Sequence, residues 1–265
     1  YRAISISQKY KLYNFIKYYM CNYVYIYFMT RLSVKINKIA TLRNARGEDY
    51  PNLRKTAQDI INFGAQGITI HPRPDERHIR YSDAFELKEK INTELNIEGN
   101  PSKKFIDLVN TIKPEQVTLV PDSEDVITSN AGWNTINNFS FLNDIVKEFH
   151  SSSIRVSIFI DPDIDMLEGA KKINADRVEL FTGPYAKVYN IDKSKAIEKY
   201  IQCSQVANEI NLDLNAGHDL NQDNLEFFIQ STKNIKEVSI GHALISESLY
   251  KGLHSTIKSY LDILK

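Results

Sequence analysis

From Leu32 onward the hydrophobic pattern switches repeatedly between a period of two and a period of about 3.6, the mark of strands alternating with helices. Two-residue alternation predicts strands at Leu32–Asn37, Gly67–His71, Leu95–Glu98, Gln116–Val120, Arg155–Asp161, Arg177–Phe181, Leu212–Asn215 and Glu237–Gly241. Helical spacing predicts Asn52–Phe63, Ser82–Asn92, Ser102–Ile112, Phe141–Phe149, Asp163–Ile173, Lys193–Ile210, Asn221–Ile229 and a closing stretch Leu244–Leu264. Eight strand-then-helix units predict an α/β fold of the (β/α)8 TIM-barrel type, because right-handed crossovers between parallel strands close a sheet of that number. An open, doubly wound sheet is the competing architecture. Neither a Gly-x-Gly-x-x-Gly nor a Gly-x-x-x-x-Gly-Lys-Ser/Thr loop follows a strand, so the usual nucleotide signatures are missing.

Strand parity sharpens the expectation, since alternate side chains face opposite sides of a sheet and the more apolar side meets the helices. Val34 and Ile36, Ile68 and Ile70, Val117 and Leu119, and Val178 and Leu180 form such an outer face, continued in the other strands. The opposite parity carries Ser33, Lys35, Thr69, His71, Asn96, Glu98, Thr118, Ser157, Glu179 and Asn215. A barrel built this way has a polar lumen, whereas barrel interiors are ordinarily filled by branched apolar side chains. Such an interior calls for a hydrogen-bonded network or a polar ligand. The reactive groups fall at strand C-termini, where barrel active sites form, which favours the ligand.

The 265 residues and 42% apolar content support one large domain. Thirty-three basic residues balance thirty-three acidic ones, so no global field draws nucleic acid or an anionic membrane, and a small phosphorylated ligand caught by local groups fits better. Cys21 and Cys203 are too few for a disulfide framework or a thiolate metal site, which points to a reducing, cytoplasmic compartment. Residues 1–28 differ from the rest: they hold eight of the fifteen tyrosines and no Asp or Glu. They are expected to be a disordered or appended extension, with the catalytic barrel spanning 29–265 and Met29 as the natural start. Intact mass of natively expressed protein tests that expectation.

The densest chemistry follows the second strand, where His71 leads into Pro72, Arg73, Pro74, Asp75, Glu76, Arg77 and His78. Imidazole, guanidinium and carboxylate groups at a strand end suit phosphate handling and proton transfer. Taken singly, a histidine there is more often a hydrogen-bonded structural residue, Glu98 could cap the following helix or pair with a lysine, and His218 could anchor a turn.

The runs Ile39–Gly47 (IATLRNARG) and Gly67–Ile79 (GITIHPRPDERHI), with Asn96–Glu98, Asn215–His218 and Ile240–His242, resemble the pyridoxine 5′-phosphate synthase family in matching order from about Leu32 to Lys265. The resemblance implies a (β/α)8 barrel that condenses 1-deoxy-D-xylulose 5-phosphate with 3-amino-2-oxopropyl phosphate, giving pyridoxine 5′-phosphate, phosphate and water. It implies no metal or organic cofactor, and a homo-octamer built from dimers. Carried over by position, His71 and Glu98 are proton acceptors and His218 a proton donor. Arg73, His78 and Thr128 would contact the deoxyxylulose phosphate, with Asn37 and Lys38 as further polar contacts, and Arg46 the aminoketone phosphate. Gly241 and His242, just before the last helix, could cradle a phosphate with backbone amides, and Asp219 contributes a backbone contact after His218. Closure of the stretch Thr128–Trp133 would exclude water.

The chain departs from the family at Lys35, where an Asn is common. An inward ammonium could bind phosphate, or it could form a salt bridge to Glu98 or Glu179 that impairs binding. Two alternatives therefore stand beside the synthase: a catalytically impaired, phosphate-binding barrel, and a barrel enzyme acting on another phosphorylated carbonyl compound.

Overall fold

The structure, a computed structural model, describes residues 29–122 and 130–265. The segment 1–28 and the site candidate Thr128 lie outside the described residues.

The strands are β1 (Arg31–Lys35), β2 (Gly67–Ile70), β3 (Glu94–Gly99), β4 (Gln116–Leu119), β5 (Arg155–Ile160), β6 (Arg177–Phe181), β7 (Asp213–Gly217) and β8 (Ile235–Ile240). All neighbours pair in parallel, and β8 returns to β1 with Ser239 opposite Ser33, closing the barrel. Closure removes the open doubly wound sheet from consideration. The helices are α1 (Asn37–Asn44), α2 (Leu53–Asn62), α3 (Tyr81–Lys90), α4 (Lys103–Ile112), α5 (Phe139–Ser151), α6 (Ile164–Lys172), α7 (Gly183–Tyr189), α8 (Lys193–Glu209), α9 (Leu225–Ser231), α10 (His242–Lys251) and α11 (Leu253–Ile263). Among the described residues no helix is long and apolar enough to cross a membrane.

Local chemistry sets several boundaries. Asn52, Ser102 and Asp192 cap α2, α4 and α8 by accepting the backbone N–H of Lys55, Phe105 and Lys195, which satisfies donors that the helix itself leaves open. The predicted closing helix is broken at Gly252, whose φ of +78° suits glycine, into α10 and α11. Strand β1 stops at Lys35, two residues short of expectation, because Ile36 turns the chain into α1. Asn37 and Lys38 therefore belong to a helix rather than to a strand end.

The outer face is the expected one: Val34, Ile68, Ile70, Val117, Val178 and Leu180 are fully buried between sheet and helices. Each such side chain contributes roughly 1.5–3 kcal/mol on removal from water. The lumen corrects the expectation that its polarity serves chiefly a ligand. Ser33 and Thr69 hydroxyls lie 2.7 Å apart, Asn96 donates weakly to Thr69, and Thr118 donates to Asn96 at 3.0 Å. At the N-terminal mouth Arg31 and Arg155 both pair with Glu94. Part of the lower lumen is thus a hydrogen-bonded network, in which Gln116 Nε2, Ser157 Oγ and Glu237 Oε2 are nevertheless buried without a hydrogen-bond partner among the described residues.

Candidate active site

Two half-sites face each other across the C-terminal mouth. On one side β2 delivers His71 and β3 delivers Glu98, both about 3% exposed. His71 donates its backbone N–H to the Asn37 side-chain oxygen at 3.0 Å, so α1 fixes the end of β2. Asn37, expected as a substrate contact, is used here as a strut. The His71 Nδ1 lies 3.6 Å from Glu98 Oε2, beyond a direct hydrogen bond but within one small shift of it. Lys35 reaches from β1 to ion-pair with the same Glu98 oxygen, the arrangement anticipated as an alternative to phosphate binding. Burial, then the charges of Lys35, Arg73, His78 and Arg77, hold the His71 imidazole well below its usual pKa. It is therefore neutral near pH 7 and able to accept a proton.

On the other side stand Glu179 of β6 and His218, just past β7. Glu179 is buried, and burial followed by repulsion from Glu98 pushes its carboxyl well above the usual range, with Lys35 opposing. The shift favours the protonated form of Glu179, which can donate a hydrogen bond. Gly217 makes the room: any Cβ there would overlap the Glu179 carboxyl. His218 adopts φ +87° and Asp219 φ +61°, a left-handed pair that L-residues seldom adopt. Thr182 holds this turn, its hydroxyl donating to the carbonyls of Gly217 at 2.7 Å and His218 at 2.5 Å. The His218 ring meets Phe181 edge-on at 5.0 Å, and its Nδ1 lies 3.0 Å from an Asp219 carboxylate oxygen. That contact draws the Asp219 carboxyl below its usual pKa. Thr182→Val keeps the volume and removes the clamp; it is expected to lower kcat by about tenfold to a hundredfold through a displaced His218, with unfolding measured in parallel. Unchanged kcat in a folded variant refutes the clamp.

The anion-binding candidates separate into buried and exposed groups. Arg73 is buried, donating to Asp122 at 2.7 Å, and with His71, Tyr81, Asn100 and Ser102 lines a cavity of about 250 Å³. His78 accepts the Ile79 backbone N–H at Nδ1, leaving Nε2 as the donor of the neutral ring. Burial first, then Lys35, Arg73, Arg77 and Lys38, lower its pKa to about 4. Arg46 and Lys38 are exposed at the rim. Gly241 caps α10, and His242 opens it with an exposed side chain. The chain approaching α5 crosses the mouth: Gly132 N–H donates to Asp161 at 3.1 Å and Trp133 N–H to the Phe159 carbonyl at 2.8 Å. Among the described residues no group of three His, Cys, Asp or Glu side chains converges as a metal site.

Sequence reasoning missed two residues that shape the site, Thr182 and Arg43, and placed Glu179 in the lumen without giving it a role. Glu179 carried a signal, its parity with Asn215 and Glu98 in the lumen. Thr182 had none, because its role depends on a turn after the next strand, 35 residues further along the chain. Arg43 pairs with Asp83 behind the His78 loop and was overshadowed by Arg46.

The family model described as pyridoxal phosphate biosynthesis protein PdxJ matches residues 32–265. Pyridoxine 5′-phosphate synthase from Flavobacterium johnsoniae is 57% identical over 237 residues, covering 89% of this chain and all of that relative. The Porphyromonas gingivalis protein of the same name is 55% identical, over 88% of this chain and 98% of its own length. Among solved structures, 3-keto-L-gulonate-6-phosphate decarboxylase from Vibrio cholerae superposes with a TM-score of 0.61 at 9% identity, covering 89% of this chain and 99% of that one. Orotidine 5′-monophosphate decarboxylase from Methanocaldococcus jannaschii gives 0.57 at 12% identity, covering 89% and 99%. These structural likenesses establish the barrel alone.

Proposed function

The chain belongs to the PdxJ family of pyridoxal phosphate biosynthesis proteins, and from that premise we propose how its residues carry the reaction. The activity is pyridoxine 5′-phosphate synthesis: 1-deoxy-D-xylulose 5-phosphate condenses with 3-amino-2-oxopropyl phosphate, releasing phosphate and water. Joining an amine to a ketone, expelling water and phosphate, and closing an aromatic ring all require proton transfers.

In our reading His71 and Glu98 accept protons and His218 donates one. The observation that carries this reading is the pair of opposed half-sites: a buried neutral imidazole beside Glu98, facing a histidine fixed in a left-handed turn next to Glu179, whose carboxyl is pushed by burial toward its protonated form. A carboxyl group whose protonated form is favoured by burial, placed beside a second carboxyl group, suits a hydrogen-bond donor next to a base. Arg73 and the Nε2 of His78 meet the deoxyxylulose phosphate, with Thr128 as a further contact. Lys38 adds a polar contact to deoxyxylulose phosphate, Arg46 meets the aminoketone phosphate, and the Gly241–His242 turn cradles a phosphate, while Asp219 contributes its backbone. Phe159 and Phe181, packed 5.4 Å apart, give an apolar wall against which water is excluded.

The test is incubation of purified protein with both substrates, following pyridoxine 5′-phosphate and released phosphate. Folded protein that yields neither overturns the assignment. The Lys35–Glu98 ion pair motivates a second reading, a barrel that binds phosphates without turnover; product formation removes it. Because burial and neighbouring cations hold the His71 pKa below 6.5, its accepting form persists below that pH. The acid limb of kcat/KM is accordingly expected below pH 6.5, and a limb above 7 contradicts a neutral His71.

A homo-octamer built from dimers and a cytoplasmic location extend the same reading. Leu42 on α1 and Tyr250 on α10, both exposed, support a contact surface between subunits. Light scattering is expected to give eight chain masses, and a monomer mass overturns this.

A further inference from the structure

Lys35 sits where the two half-sites meet. Its stem packs against Gly241: a Cβ added there would lie 3.0 Å from the Lys35 Cβ and 3.4 Å from its Cγ. That contact directs the side chain along the lumen wall, and the ammonium ends on Glu98 Oε2, the oxygen that faces His71. Its charge is felt widely. After burial it is the largest influence lowering His71, it lowers His78 in the same rank, and it opposes the burial and repulsion that raise Glu179. One cation thus stands among two buried carboxyl groups and two imidazoles.

We propose that Lys35 is a positioning residue for the proton-accepting pair, holding the shared Glu98 oxygen toward His71. The proposal rests on the reading of His71 and Glu98 as proton acceptors. Moving the ammonium wholly onto a phosphate would take it off Glu98, whose side chain is only 4% exposed, and stranding a buried carboxylate is costly. The groups facing His71 are Lys35 from β1, Arg73, Arg77 and His78 from the loop after β2, and Glu98 from β3. Facing Glu98 and Lys35 from the far side is Glu179. Removing the Lys35 charge leaves Arg73, Arg77 and His78 in place but relieves the strongest positive neighbour of His71. Its pKa then moves up toward 6.5, and the accepting form is lost at a higher pH than in the parent.

The test compares pH profiles of kcat and kcat/KM, with both substrates, for the parent, Lys35→Met and Lys35→Arg. Lys35→Met is expected to move the acid limb up by about one pH unit and lower kcat near pH 7 by about tenfold, with KM within about twofold. Lys35→Arg keeps the charge and is expected to keep the limb at the parental position. An unmoved limb in Lys35→Met overturns the proposal, and one accompanied by a large rise in KM for 3-amino-2-oxopropyl phosphate assigns Lys35 to phosphate binding instead. The His71 ring resonances, titrated in the ligand-free protein, give a readout that needs no turnover: the Met variant should titrate at higher pH than the parent. Coincident titrations refute the proposal, whereas a parent that shifts as expected but forms no product refutes only the synthase assignment. Lys35→Gln supplies the same neutral position should the Met variant not fold.

Discussion

Glu98→Gln is expected to lower kcat by about two to four orders of magnitude while leaving the barrel folded, because the substitution preserves shape and removes the proton-accepting charge. Glu98 is buried, bonded to Lys35 and 3.6 Å from His71, so no water or second surface carboxylate substitutes for it. His71→Asn should cost a similar factor. If the two act as a unit, the double variant loses little more than either single one, since removing one member already disables the pair. Glu179→Gln supplies the contrast. Burial and Glu98 favour the protonated form of Glu179, so an amide of the same shape resembles that form and should cost far less than Glu98→Gln. Single-turnover measurements of all four variants decide the matter. Equal losses for Glu98→Gln and Glu179→Gln refute the assignment of different roles to the two carboxyl groups.

Arg43→Met is expected to destabilise the fold by about 3–5 kcal/mol, the usual consequence of leaving one member of a buried ion pair without its partner. Arg43 donates to both Asp83 oxygens, at 2.7 and 2.9 Å, and to the His78 carbonyl at 3.2 Å. Both side chains are buried, and Asp83 also accepts the Arg80 backbone N–H at the start of α3. The lost guanidinium therefore strands a carboxylate, loosens α1 against α3 and releases the loop that presents His78. Urea unfolding measures the first effect. A raised KM for deoxyxylulose phosphate, with kcat less affected, reports the last. Arg43→Met combined with Asp83→Leu should recover much of the stability, because replacing a whole buried pair by apolar groups is often nearly neutral. A double variant as unstable as the single one indicates that packing, rather than charge, dominates at this position.

These two predictions fall on opposite sides of what the chain discloses in one dimension. Glu98 was legible, since its parity in β3 and its place at a strand end already put a carboxylate at the mouth of a barrel. Arg43 was not. It lies three residues before Arg46 on the same short stretch, and nothing local distinguishes the arginine that turns inward from the one left at the rim. Helix α1 itself escaped notice because it begins without a side-chain cap and its buried residues, Asn37, Ile39, Ala40 and Arg43, include two polar ones. Helix α7 was hidden for a different reason. Its Gly183–Pro184 start reads as a turn, although proline in a first turn is compatible with helix because that N–H has no partner there anyway.

The sequence by itself determined the barrel and the polar lumen, because strand parity and helix periodicity are properties of neighbouring residues, and eight alternations admit few ways of burying both faces. It also placed His71, Glu98 and His218 at strand ends. Only the tertiary structure decided what those groups meet. The Glu179 carboxyl is pushed toward its protonated form because Gly217 of β7 leaves space for it beside a second carboxyl; His218 is aimed by the hydroxyl of Thr182, just past β6; and Lys35 lies on Glu98 because Gly241, just past β8, lets its stem pass. Each of these depends on distances between strands far apart in the chain, where charge and desolvation act through space and leave no local trace.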